Sequence, residues 1–260
     1  MARSALLQIM TTTAFRAGRS LSRDFGEIQS LQASVKSSKE FADAAARSST
    51  KIIREQLVKA RPDFGMMIDG AVEQVGKDRN HRWIVNPLNG NINFAHSQPY
   101  FGISIALEHE GQIVAGVIYS PVLDDLYAAE KGTGAFHNDR RLRTANRSHL
   151  SDSLLGMGNS SKSSTSKTQF LKNQAMLSGE VADIRIFGCT CLSLAAIAGG
   201  NLDASFETGI NYSGVAAGIV IVREAGGYVT NASGDKSLID QSTVVAGNSA
   251  IHQRLLKILP

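Results

Sequence analysis

The stretch WIVNPLNGNINFAH, residues 83–96, decides how this chain is read. Trp83 to Val85 is a β-prone run, Pro87 interrupts it, and Gly90 sits in an Asn-rich turn before the start of a helix. A strand that empties into a helix gathers polar side chains and backbone N–H groups at one sheet end, where an anion can be bound. On spacing alone, a plain structural turn is the simpler reading.

Upstream, Met66 to Ile68 is a short apolar run followed by Asp69 and Gly70, the pattern of a strand ending in a turn. Phe41 to Ala60 carries apolar residues at helical spacing and is stopped before Pro62. Glu27 to Ser38 is mostly polar and reads as a loop. The first 22 residues are acid-free, contain Arg and Ser, and are amphipathic. A mitochondrial transit segment shares that character, but the apolar positions Leu6, Leu7, Met10, Phe15 and Leu21 favour a first helix of the fold.

Downstream, Phe101–Leu107, Ile113–Tyr119 and Leu126–Ala129 are β-prone runs, with His109 to Gln112 a hairpin connection and Gly132 to Asn138 another tight turn. This order predicts an antiparallel or mixed sheet. Beyond Arg143, strands at 184–187, 202–206 and 244–246 alternate with helices at 192–198, 216–224 and 250–259. That alternation predicts a second, partly parallel sheet and a soft boundary near 140–150. NSSKSSTSK, residues 159–167, reads as a polar loop.

Composition narrows the function classes. The chain has 260 residues, 43% of them apolar, with 19% charged and 5 Pro, an ordinary globular balance. No run of about 20 apolar residues exists to cross a bilayer. The net charge of +4 is small and scattered, so it points to neither nucleic acid nor membrane. The 2 cysteines, Cys189 and Cys191, stand too close together to staple a chain of this length. They read as reduced and buried, in a cytoplasmic setting.

Three segments together carry a resemblance: WIVNPLNGNINFAH, GTGAFHNDRRL at 132–142, and NYSGVAAGIVIVREAGG at 211–227. In order and spacing they resemble the inositol monophosphatase family, and the similarity extends over nearly the whole chain. The resemblance implies an α/β (α+β) fold, a layered αβαβα sandwich. Residues 1–143 would form an N-terminal half with a large antiparallel sheet, and residues 144–260 a C-terminal half with a smaller mixed one. It also implies magnesium-dependent hydrolysis of inositol monophosphates or related phosphate monoesters, with carboxylates holding two or three ions. A homodimer, a protein partner, a small phosphate ligand and a bacterial cytoplasmic setting are implied as well.

Position by position, the family's ligands are depleted. The motif's two aspartates are Asn86 and Asn89, its threonine is Asn91, the second acid of the preceding pair is Gly70, the later aspartate is Gly214, and an early carboxylate is Ala46. Asp69 alone survives as a metal ligand. Gly188 and Cys189 match a turn on the substrate side, Glu207 matches a residue that contacts substrate hydroxyls, and Asn89, Gly90 and Asn91 match the substrate turn. The expectation is a catalytically degenerate member, a pseudoenzyme with a structural, regulatory or ligand-binding role and no cofactor. The alternative is a weak or altered phosphatase that holds one Mg²⁺ through Asp69 with amide and backbone oxygens.

Overall fold

The computed structural model describes residues 4–30, 35–71, 73–161, 163–239 and 241–259, with the backbone alone at 29, 30 and 35–37. Two long helices open the chain, α1 (Ala5–Ser30) and α2 (Val35–Ala60). Leu7, Met10, Ala14, Ala17, Leu21, Phe25 and Ile28 line one buried stripe of α1 at helical spacing. The stripe runs past Glu27, so the polar segment expected to be a loop is helical up to Ser30 and again from Val35. Residues 31–34 lie outside the described residues.

Seven strands follow: β1 (Phe64–Ile68), β2 (Asp78–Asn89), β3 (Gly102–His109), β4 (Gln112–Ser120), β5 (Asp125–Glu130), β6 (Gly134–His137) and β7 (Arg140–Arg141), with the short helix α3 (Asn91–Ala95) between β2 and β3. They lie in sequence order in one sheet. Only the β1–β2 pair is parallel; the others are antiparallel. The second sheet has the order β11-β12-β10-β8-β9, from β8 (Leu154–Asn159), β9 (Asp183–Arg185), β10 (Ala204–Thr208), β11 (Tyr228–Thr230) and β12 (Thr243–Gly247). It is mixed: β10 runs parallel to β8 and antiparallel to β12. The remaining helices are α4 (Ser164–Ser178), α5 (Thr190–Ala198), α6 (Tyr212–Glu224) and α7 (Ser249–Ile258).

The period-2 alternation of the strands divides the core. Trp83, Val85, Ile103, Ile105 and Val117 point toward α1 and α2. Ile84, Ala106 and Ile118 point the other way, toward Leu194 of α5 and Val220 of α6. A third cluster packs Leu155, Phe206 and Val245 of the second sheet against Leu177 of α4 and Ile251 and Leu255 of α7. The layers are therefore helix, sheet, helix, sheet, helix, the sandwich expected from the sequence. Where α6 crosses β4, a Cβ at Gly116 would lie 2.7 Å from the Ala217 carbonyl, so this glycine sets the approach of α6 to the sheet.

The polar stretch expected as a loop gives way to α4 at Ser164. Its Ser and Thr residues are weak helix formers and offer no apolar periodicity to read. The docking of Leu177 into the third cluster stabilises a helix that local propensity does not announce.

Candidate functional site

Asp69 follows the end of β1, and its backbone N–H donates to the Val85 carbonyl at 2.9 Å. The parallel pairing of Ile68 with Val85 brings it beside Asn86 of β2. Asn86 is buried, and its amide nitrogen lies 3.5 Å from Asp69 Oδ2 while its Oδ1 accepts from the Leu88 N–H at 3.2 Å. The Ser49 hydroxyl of α2 donates to the Pro87 carbonyl at 2.9 Å and ties this strand end to the helical layer.

Asn89 closes β2. Its Oδ1 accepts from the Cys191 N–H at 3.2 Å and from the Cys189 thiol at 3.2 Å. Cys189, the residue capping α5, makes no side-chain capping bond to its own helix, so Asn89 satisfies an N-terminal N–H of α5 from 102 residues away. The amide nitrogen of Asn89 is directed at α6. A Cβ built on Gly214 would lie 2.9 Å from Asn89 Nδ2 and 3.7 Å from Asn86 Nδ2. The space that a side chain at 214 would need is taken by these two amides.

Gly90 has φ 87°, and a Cβ there would lie 3.0 Å from the Tyr100 carbonyl and 3.2 Å from Cys189 Cβ. Only glycine fits this turn without displacing backbone. Asn91 is exposed at the start of α3. Gly188 is exposed with φ 71° and faces Asn93, whose amide nitrogen donates to the carbonyls of Tyr100 and Phe187, both at 2.7 Å. Asn93 thus pins α3 to the segment leading into α5. It lies inside the 83–96 segment but was given no role there, because its value is two backbone carbonyls that meet only in the fold.

Glu207 stands apart from this group, on β10, 3% exposed and hydrogen-bonded by the side chains of Ser193 and Thr190. Burial pushes its carboxyl up to about 7, against the lowering effect of those hydrogen bonds. Cys189 and Cys191 are free thiols, both buried, with Sγ atoms 3.6 Å apart. Burial raises the Cys191 thiol well above its ordinary range, which makes it a poor nucleophile.

Two further residues, inside the 211–227 segment but given no role at the site there, complete the surroundings of Asp69. Asn211 Nδ2 and Ser213 Oγ both donate to Asp69 Oδ1, at 3.1 and 3.2 Å. Among the described residues no group of three or more His, Cys, Asp or Glu is placed to hold a metal ion. Gly70 is exposed and carries no side chain, Gly214 likewise offers no ligand, and Ala46 packs beside the α1–α2 core. The donor set does not fit a clamp of two or three ions. Asp69 is the one carboxylate among these positions, and its oxygens face the donors of Asn86, Asn211 and Ser213; a magnesium ion held there would have to take most of its shell from water and substrate phosphate.

Comparison with known proteins bears on the same question. The chain matches the inositol monophosphatase family over residues 2–260. It is 48% identical to the inositol-1-monophosphatase of Mesorhizobium japonicum, over 99% of this chain and 97% of that one. It is 44% identical to the inositol-1-monophosphatase of Rhizobium meliloti, over 100% and 97%. The crystal structure of the extragenic suppressor protein suhB from Bartonella henselae superposes with a TM-score of 0.89 at 41% identity, covering 98% of this chain and 99% of that one.

These relatives overturn the expectation of a degenerate pseudoenzyme that leans away from catalysis and needs no cofactor. Identity near one half along the full length places the chain among proteins named for the phosphatase activity, and argues for retained hydrolysis with magnesium. The physical error lay in counting lost carboxylates against a multi-ion clamp. One carboxylate can anchor a magnesium ion when phosphate and water supply the other oxygens. Fold, motif order and full-length similarity converge on one conclusion: the chain belongs to the inositol monophosphatase family.

Proposed function

We propose that this protein hydrolyses small phosphate monoesters of the inositol monophosphate class, with an altered magnesium site anchored on Asp69. The observation that carries the reading is the position of that carboxylate. It lies at the end of β1, beside the β2 turn and against the first turn of α6, next to the Asn89 link to α5. Helix N-termini favour negative charge, so the ends of α5 and α6 suit a phosphate-bearing substrate. Magnesium, when bound, supplies neutralisation of phosphate charge.

The chain's own residues do the rest. Asp69 holds the cation, and Asn86 and Asn89 fix the strand end around it. Gly90 and Asn91 present the substrate turn, with Gly188 on the side that receives the alcohol portion. The reaction consumes one water and yields the alcohol and inorganic phosphate.

The same proposal covers the division into halves 1–143 and 144–260, a homodimer in a bacterial cytoplasm, and a protein partner. Large apolar side chains at Ile92, Leu123 and Ile186 are exposed, the kind of surface a second copy would cover. Among the described residues no helix is long and apolar enough to cross a membrane.

Hydrolysis of inositol 1-phosphate across a wide Mg²⁺ titration tests the activity, with Asp69→Ala alongside. Magnesium-dependent turnover by the parent and background turnover by the variant are expected. Flat background from both proteins would overturn the proposal.

A further inference from the structure

Arg82 of β2 and Glu108 of β3 stand opposite each other across the strand pair, on the face that Ile84 presents to α6. Glu108 is 6% exposed. Its Oε1 accepts from Arg82 Nε at 3.1 Å, and Arg82 Nη2 lies 2.8 Å from the same oxygen. Its Oε2 accepts from the hydroxyl of Tyr212, the residue that opens α6, at 3.2 Å. The other arm of Arg82 donates through Nη1 to Glu73 at 2.6 Å, and Glu73 closely follows Asp69 in the chain.

These contacts close a ring. Asn211 and Ser213 donate to Asp69, Tyr212 between them donates to Glu108, Glu108 accepts from Arg82, and Arg82 donates to Glu73, which leads back along the chain to Asp69. Successive helix residues lie about 100° apart around the axis, so Tyr212 and Ser213 grip the start of α6 from different directions. The helix cannot roll without breaking one grip. Asn211 makes no side-chain cap, so these outside contacts orient the first turn. A buried ion pair gains little net stability over apolar packing, so the worth of this one lies in position. Arg82 shares the Asn86 face of β2 but stands about 13 Å back along the strand, outside the site.

We propose that Glu108 is a positioning residue for phosphate-ester hydrolysis, which through Tyr212 and Arg82 fixes the first turn of α6 against the strand end at Asp69 without touching substrate. This rests on the reading of that strand end as the substrate site.

The test uses the full chain: the parent, Tyr212→Phe, Glu108→Ala, Glu108→Gln and the double variant Tyr212→Phe with Glu108→Ala. Hydrolysis of inositol 1-phosphate at saturating Mg²⁺ is measured beside thermal melting and amide hydrogen exchange over peptides spanning Asp69 and the first turn of α6. Tyr212→Phe deletes one oxygen and leaves the Arg82–Glu108 pair intact. Its kcat should fall about three- to tenfold with KM unchanged within about twofold, and that of Glu108→Ala about 10- to 100-fold, the scale of a misplacement of up to about 1 Å. Glu108→Gln still accepts from Tyr212 and should recover most of that loss. In the Glu108→Ala background, Tyr212→Phe should add nothing, because both act through one contact. Exchange at Asp69 and at the start of α6 should quicken together in Tyr212→Phe, although Asp69 and Asn211 are 142 residues apart.

If Glu108→Ala does not fold, Tyr212→Phe and Glu108→Gln carry the test. A lower melting temperature with kcat and the Asp69 exchange unchanged would reduce the network to a structural tie and overturn the proposal, as would additive losses in the double variant. If the parent itself turns over only at background, the activity reading fails and exchange decides the grip: joint quickening of both segments upholds it, and quickening confined to α6 overturns it.

Discussion

Replacing Asn86 by Asp tests whether the β2 strand end and Asp69 share one cation. The Asn86 amide nitrogen lies 3.5 Å from Asp69 Oδ2, so the substitution changes a weak donor contact into a pair of facing carboxylates. At that separation two unit charges repel by about 5 kcal/mol at an effective dielectric near 20. Asp69 is half-exposed and water screens part of this, so a destabilisation of about 1–3 kcal/mol is expected in chelator at neutral pH. For a chain of this size that corresponds to a fall in melting temperature of about 2–10 °C. The Leu88 N–H contact survives because a carboxylate oxygen also accepts it, so the loss reports the new charge pair. Mg²⁺ should reverse it, since a cation between the two carboxylates turns repulsion into attraction. Differential scanning fluorimetry with and without Mg²⁺ reads both signs. A variant that melts with the parent in chelator and ignores Mg²⁺ would refute a shared cation site at these two residues.

Gly214→Ala should cost about 1–3 kcal/mol, because the added Cβ would lie 2.9 Å from Asn89 Nδ2; the loss should largely disappear in an Asn89→Ala background, and additive losses in the melting cycle would argue against this packing. Glu207 has a folded-state value raised to about 7, so the native protein binds more protons than the unfolded chain between the ordinary carboxyl range and that value. The parent therefore loses stability as pH rises across this window. Glu207→Gln should be more stable than the parent by about 3 kcal/mol above pH 7, with the advantage vanishing below about pH 4.5, as denaturant melts at several pH values would show. A pH-independent difference would mean that Glu207 is ionised throughout.

Much of the architecture was written locally. Alternation in Trp83–Val85, Phe101–Leu107 and Ile113–Tyr119 sorts side chains onto two faces whatever the partner, so β2, β3 and β4 could be read one by one, whereas β6 lies within the stretch 132–138 expected to be a tight turn. The stripe of α1 was equally plain, because it follows helical spacing. Failures came where the pattern is polar: the turns of helix after Glu27 and the whole of α4 present little apolar periodicity, and packing decides them. β8 and β11 went unread, since short strands flanked by glycine or polar residues look like connections until their neighbours are in place.

For the site, the sequence by itself determined the family, the surviving Asp69, and the loss of carboxylates at Asn86, Asn89 and Gly214, because residue identity and motif order are one-dimensional facts. It did not determine what those losses mean. Tertiary structure decided what surrounds these positions: it sets Asn211 and Ser213 on one oxygen of Asp69, and the Asn89 amide between the α5 N-terminus and Gly214. Hydrogen bonds depend on distance and direction in space, and these bridge residues more than 100 positions apart. No local pattern encodes such meetings; they exist only once the sheet ends and helix N-termini have been packed together.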